Sequence, residues 1–145
     1  MAGKSDYLEN KYIDFLLRGQ TFTPPATVYV ALLTAAPSDS GGGTEVTGGS
    51  YARVGVSSTL ANWAGTQSAG STTASTGTGG QTSNNNTIIF PTPTASWGVV
   101  THFALYDAST SGNQLYWGPL GANKSINNGD PAPSFPAGSL TITED

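Results

Sequence analysis

The sequence contains no cysteine, a single histidine and only five basic residues among 145. Without cysteine there can be no disulfide, no thiolate zinc site and no thiol nucleophile. The basic residues (Lys4, Lys11, Arg18, Arg53 and Lys124) are scattered, and the net charge is -4. A phosphate backbone is held by a concentrated basic surface, so no nucleic-acid partner is expected. No apolar run approaches the roughly 18 residues that a membrane span needs. The start, MAGKSDYLENKYID, carries charges where a signal peptide has its apolar stretch. No membrane partner is expected, and the chain is expected to be made and kept inside a cell. Charge of either sign is scarce, at 10% of residues against about 25% in an average domain. The surface must then be largely Ser, Thr, Asn and Gly, which repels neighbours weakly and suits subunits packed side by side.

Catalytic patterns are also missing. His102 has no serine elbow of the GxSxG kind anywhere in the chain to work with, and it falls mid-strand on a face with Val100 and Ala104. The nine carboxylates show neither EF-hand nor HExxH spacing. Gly41-Gly42-Gly43 lacks the lysine of a phosphate-binding loop and reads as turn glycine. No catalytic residue, metal site or cofactor is assigned, and the chain is read as a protein that is not an enzyme. Trp63, Trp97, Trp117, Tyr106 and Tyr116 could build a sugar-stacking platform. Their alternation within strands favours core and subunit contacts instead.

What is present is one helix followed by short strands. Residues 6–18 are predicted helical, with Asp6 as cap, Glu9 completing a capping box, Gly19 as the stop and an Asp14–Arg18 surface pair. Leu8, Tyr12, Phe15 and Leu16 form a stripe, which Ile13 and Leu17 widen to roughly 200°, about twice what one packed face requires. Such a helix is either deeply embedded or an arm with a second apolar side for another chain. After Pro24-Pro25 the period changes to that of strands, at 27–33, 51–57 (with 60–63 as an extension), 87–90, 96–107, 114–118 and 139–143. Gly112-Asn113 turns 96–107 into 114–118 as a hairpin. The alternation predicts a core of Val28, Val30, Leu32, Val54, Val56, Ile89, Val99, Phe103, Leu105, Leu115, Trp117, Leu140 and Ile142. The fold class is mainly β: an antiparallel β-sandwich or jelly-roll-like fold with one N-terminal α-helix. Residues 1–25 are read as helix and hinge, an arm. Residues 26–145 are read as the sandwich domain, with a flexible Gly/Ser/Thr-rich loop at 64–86 that lacks any charge.

Four segments carry a resemblance: Arg18-Gly19-Gln20, YVALLTAAPSDSGGGTEVTGGSYAR (29–53), SWGVVTHFALYDASTSGNQLYWG (96–118) and FPAGSLTITED (135–145). Together they resemble a family of short tailed-phage virion proteins, commonly labelled tail fibre protein, whose members also serve as capsid decoration (cement) proteins. The resemblance implies a virion structural protein with no catalytic residues, located on the capsid exterior after assembly in the host cytoplasm. The absence of repeats or heptads argues against a fibre shaft. The leading expectation is therefore a cement protein that bridges capsid subunits. The alternative is a tail-associated or tail fibre module contacting host surface glycans. Expected partners are the major capsid protein and copies of the chain itself, as a dimer or trimer. The expected contact residues are Leu8, Tyr12, Ile13, Phe15, Leu16, Leu17, Trp97 and Tyr116.

Overall fold

The computed structural model describes residues 3–144. In chain order the elements are β1 (Gly3–Lys4), α1 (Asp6–Leu17), β2 (Thr27–Ala35), β3 (Thr44–Glu45), β4 (Val54–Ser57), β5 (Gln81–Ser83), β6 (Ile88–Ile89), β7 (Gly98–Tyr106), β8 (Gln114–Ile126), β9 (Ser134–Phe135) and β10 (Thr141–Thr143). The β-branched and aromatic runs give the three longest strands, β2, β7 and β8, which pair antiparallel side by side. They are the centre of a six-stranded sheet ordered β1-β8-β7-β2-β3, with β4 sharing the outer side of β2 with β3. Two separate two-stranded sheets, β5/β10 and β6/β9, complete a sandwich-like arrangement that is not a closed barrel.

The large sheet has two unlike faces because side chains alternate along each strand. One cross-strand row is Val54–Val30–Leu105–Tyr116. Leu32 and Phe103 pair in the next row on the same face. This inner face packs against Ile88, Phe90, Leu140 and Ile142 of the second layer, with Phe135 and Trp97 at its edge. The opposite rows are Gly55–Tyr29–Tyr106–Gln114 and Ala31–Ala104–Trp117–Gly3. That outer face carries only a small cluster, in which Ala31, Leu33 and Ala104 lie under Tyr106 and Trp117.

The β7–β8 hairpin forms where the sequence predicts it, and its turn is fixed by Asp107. The two carboxylate oxygens of Asp107 accept from the Asn113 amide at 2.7 Å and from Asn113 Nδ2 at 2.8 Å. Gly112 sits at φ +75°, and a Cβ there would meet Asp107 Oδ1 at 2.5 Å, so the turn requires glycine.

Three predicted core positions are wrong in phase. Ile89 is 59% exposed and Val99 47% exposed, while Ile88 and Val100 point inward. A bulge between Val100 and His102 reverses the alternation, so counting back from Phe103 puts Val99 on the wrong side. In β6 both residues are apolar, and the phase is set by Phe90, which is buried together with Ile88. Trp117 belongs to the outer cluster, half-buried, not to the main core. The predicted strand at 60–63 is a turn, whose Trp63 forms an isolated bridge with Asn84.

The segment 64–86 is partly built into the fold. Gln81–Ser83 forms β5 against β10, and Asn84 is buried. Between them and Ala64, the exposed stretch folds around Gln67. Its Nε2 donates to Ser71 Oγ, Thr73 Oγ1 and the Ala74 carbonyl, and its Oε1 accepts from the Thr76 amide.

Two outcomes follow from this architecture. Phe103→Ala and Ile88→Ala should each lower unfolding free energy by about 2–5 kcal/mol, whereas Ile89→Ala should change it by less than about 0.5 kcal/mol, read by denaturant titration. Equal losses for Ile88→Ala and Ile89→Ala would show that the β6 phase is misassigned. In hydrogen exchange on the isolated protein, the amides of residues 67–79 should exchange fast while Ala64 and Asn84, which donate to Ser83 and Leu140 carbonyls, are protected.

Candidate functional site

Helix α1 is where candidate contact residues gather, and its own sequence explains how it is held. Ser5, not Asp6, is the N-cap: its Oγ accepts from the Leu8 amide at 3.2 Å. The same hydroxyl donates to the Gln114 carbonyl, which ties the cap to the start of β8. Just upstream, Gly3 and Lys4 pair with Trp117 and Tyr116 as β1. Leu8 is buried in the core, and Tyr12 packs edge-on against Phe22 with ring centroids 6.3 Å apart. Gly19 takes φ +68° as the helix stop, and the Asp14–Arg18 pair forms at 2.9 Å.

The helix therefore divides between the two readings open for it. Its first half is embedded through Leu8. Its last turn and a half is not: Ile13 and Phe15 are exposed, Leu16 is 70% exposed and Leu17 81% exposed. No basic residue lies in the last turn. Four large apolar side chains thus crowd one short helix end, next to an ion pair that is itself solvent-facing.

The other expected contact residues lie elsewhere. Trp97 is buried, and its Nε1 donates to the Gly49 carbonyl at 2.9 Å. It also packs edge-on against Tyr51 at 5.3 Å, so it serves the core and offers no surface for a partner. Leu8 is likewise core. Tyr116 is half-buried and points into a cluster at the chain ends, where its hydroxyl donates to Glu144 Oε1. Lys4 Nζ donates to Glu144 Oε2 at 2.7 Å and lies 5.3 Å from the Tyr12 ring centroid. The carboxylate of Glu144 thus joins the first and last strands' neighbourhoods across the whole length of the chain. Sequence reasoning missed this cluster because nothing local marks a pair of residues so far apart.

A second ionic group anchors the outer face. Arg53 makes a two-pronged pair with Glu45, with both N–O distances 2.8 Å. It also donates to the Ala108 and Ser111 carbonyls and lies 3.7 Å from the Tyr106 ring centroid. Tyr51 donates to Glu45 Oε1 and accepts from the Leu32 amide. His102 is half-buried, with Nδ1 2.8 Å from Thr101 Oγ1. Among the described residues, no group of three or more His, Asp and Glu side chains is placed to hold a metal ion. The five aromatics considered as a sugar platform do not converge. Trp97 is core, Trp63 and Tyr116 edge an apolar cleft of about 310 Å³ over Leu105 and Ile142, and Tyr106 and Trp117 lie on the outer face.

The family described as podophage GP4 fiber I protein gp80 matches residues 3–143, and this chain belongs to it. It is accordingly a structural protein of the short-tailed phage virion. Comparison with curated proteins gives no match.

The end cluster gives the protein a definite alkaline response. The Glu144 hydrogen bond raises the Lys4 ammonium above its ordinary 10.5. Burial, reinforced by the Glu144 hydrogen bond, pushes the Tyr116 hydroxyl far above its ordinary 10.0. Burial does the same to Tyr51. Groups whose folded pKa is raised add stability that is fully present below the unfolded value and lost as pH climbs toward the folded one. Melting temperature should therefore be insensitive to these groups up to about pH 10 and fall above it. Glu144→Gln should lower it at neutral pH and make the alkaline fall shallower, because the fall begins at the unfolded values and its depth scales with the upward shift that Glu144 contributes.

Proposed function

We propose that this protein is a globular module of the virion's fibre apparatus, mounted through the exposed end of α1 with its polar loops turned outward. The observation that carries the proposal is the helix end itself. Ile13, Phe15, Leu16 and Leu17 stand exposed on a helix whose root is stitched into the sheet. Large apolar side chains grouped together on a surface mark a protein contact. A rigid root lets that contact transmit orientation. The description of the matched family as a fiber protein supports the fibre setting. The body contains no shaft-forming repeat, so the module is a terminal or branching knob and not a rod.

Capsid decoration is the second reading. The scarcity of charge favours it, since weakly repelling surfaces suit close packing in a shell. In that reading the same helix end grips the major capsid protein, and the copies associate as dimers or trimers across capsid joints. Both readings make the protein a structural part without catalytic residues.

Quantitative mass spectrometry of purified virions separates the two. Copies few enough to match the tail support the fibre module, and copies approaching those of the major capsid protein support decoration. The attachment claim has its own check. Leu16→Asp/Leu17→Asp should leave the fold and melting temperature nearly unchanged, because both side chains already face water. Incorporation into particles should drop at least about tenfold, since burying an unpaired charge in an interface costs more than the 1.4 kcal/mol of one decade in affinity. Normal incorporation of that variant would remove the helix end as the attachment surface.

A further inference from the structure

The large sheet ends differently on its two sides. On one side the edge is divided between β3 and β4, of two and four residues, and strands so short offer little ladder to a partner. On the other side β8 runs for 13 residues, and its outer neighbour β1 covers only Tyr116 and Trp117. Among the described residues, no strand pairs on the outer side of β8 from Gly118 to Ser125. Gly121 to Ser125 are all exposed. A long unpaired edge presents its N–H and C=O groups to any other strand, including the same edge of a second copy. Charge repulsion between copies gives little protection, because only 10% of residues are charged.

The backbone of this stretch is ill suited to such pairing. The Leu115 carbonyl faces outward, where it accepts from the Ser5 amide at 2.9 Å. Backbone groups alternate sides along a strand, so Trp117 and then Pro119 face the same way. The first outward position beyond β1 is therefore a proline, which has no N–H to give. At the far end the Ile126 carbonyl accepts from the Trp97 amide on the β7 side, which leaves Ser125 facing outward. Between Pro119 and Ser125 lies a large bulge. His102 pairs with Pro119 and Val100 with Lys124, so the four residues 120–123 stand opposite Thr101 alone.

An ordinary bulge sets two residues against one. Here Leu120 packs against the core and Ile126 is buried in it. Gly121 and Ala122 add two residues between them, which leaves that inward phase unchanged. A Cβ at Gly121 would meet nothing within 4 Å, so the excess stands out in solvent. Lys124 is the one charged residue between Asp107 and Asp130.

We propose that the bulge at 120–123, with Pro119 and Lys124 on either side of it, guards the outer edge of β8 against pairing with a second copy of the chain. A flat edge offers an outward N–H and C=O at every second residue. This one offers regular positions at Pro119, which lacks the donor, and at Ser125, beyond the bulge. Lysine and proline are residues that blunt exposed strand edges elsewhere, for the same reason. The guard acts whatever place in the virion the protein takes, and it is independent of the free end of α1.

Two variants of the full-length chain test this by sedimentation velocity over a concentration series. Both carry Leu16→Asp/Leu17→Asp, as does their parent, so that contact through the helix end is removed. One lacks Gly121 and Ala122, which leaves a two-against-one bulge. The other, Pro119→Thr/Lys124→Thr, keeps the chain length and gives the edge back an N–H. Each is expected to self-associate at least about tenfold more tightly than the parent, about 1.4 kcal/mol of pairing free energy. Hydrogen exchange should show the Ser125 amide gaining protection as concentration rises, a reading that general misfolding would not single out. A rise in association in either folded variant, with that protection, supports the proposal. If the shortened chain does not fold, the substitution pair decides by the same two readings. Unchanged association in every folded variant overturns the proposal. Association without protection at Ser125 also overturns it and assigns the contact to another surface.

Discussion

The structure depends on covering one apolar sheet face with a second layer too small to be a sheet. Strands β2, β7 and β8 present Val30, Leu32, Phe103, Leu105 and Leu115 on that face. The cover is two isolated strand pairs of two and three residues, each far below the three strands that hold together unaided. What joins them is Asn84, a fully buried amide. Its Nδ2 donates to the carbonyls of Asn86, Phe135 and Pro136, and its Oδ1 accepts from the Leu140 amide. One side chain therefore bonds backbone groups of three segments, and leaving the buried Leu140 amide without its partner would alone cost about 1–3 kcal/mol. The β5 and β6 segments and the β9 and β10 segments all meet around it. Where this cover stops short, the apolar cleft over Leu105 and Ile142 remains open.

The rest of the molecule is arranged around the same face. Helix α1 closes one edge through Leu8 and leaves its far end free. Glu144 draws Lys4 and Tyr116 to the end of the last strand, so the two chain ends stabilise one corner. The outer face needs little hydrophobic cover because the paired Arg53 and Glu45 lie over it with Arg53 against the Tyr106 ring.

Long β-branched runs made β2 and β7 legible in the sequence, as did the Gly112-Asn113 hairpin and the helix with its Gly19 stop. These signals are local: a periodicity or a turn residue decides them. The strands missed by the sequence, β1, β3, β5 and β9, have two or three residues each and no apolar alternation. They exist because the long strands offer edges or because Asn84 anchors them. The phase errors at Ile89 and Val99 have the same root, since a bulge and an adjacent apolar pair are tertiary decisions. The exposure of Ile13, Phe15, Leu16 and Leu17 was readable because an over-wide stripe cannot be buried on one side. Trp97 was not, because its role is set by the Gly49 carbonyl and the Tyr51 ring far away in sequence.

The account's central claim is that the free end of α1 is the surface by which this protein joins the particle. Cryo-electron microscopy of the intact virion, at a resolution that places side chains, tests it most directly. The account predicts Ile13, Leu16 and Leu17 in contact with a neighbouring protein chain. A reconstruction in which the helix end faces solvent and another surface makes the attachment would contradict it.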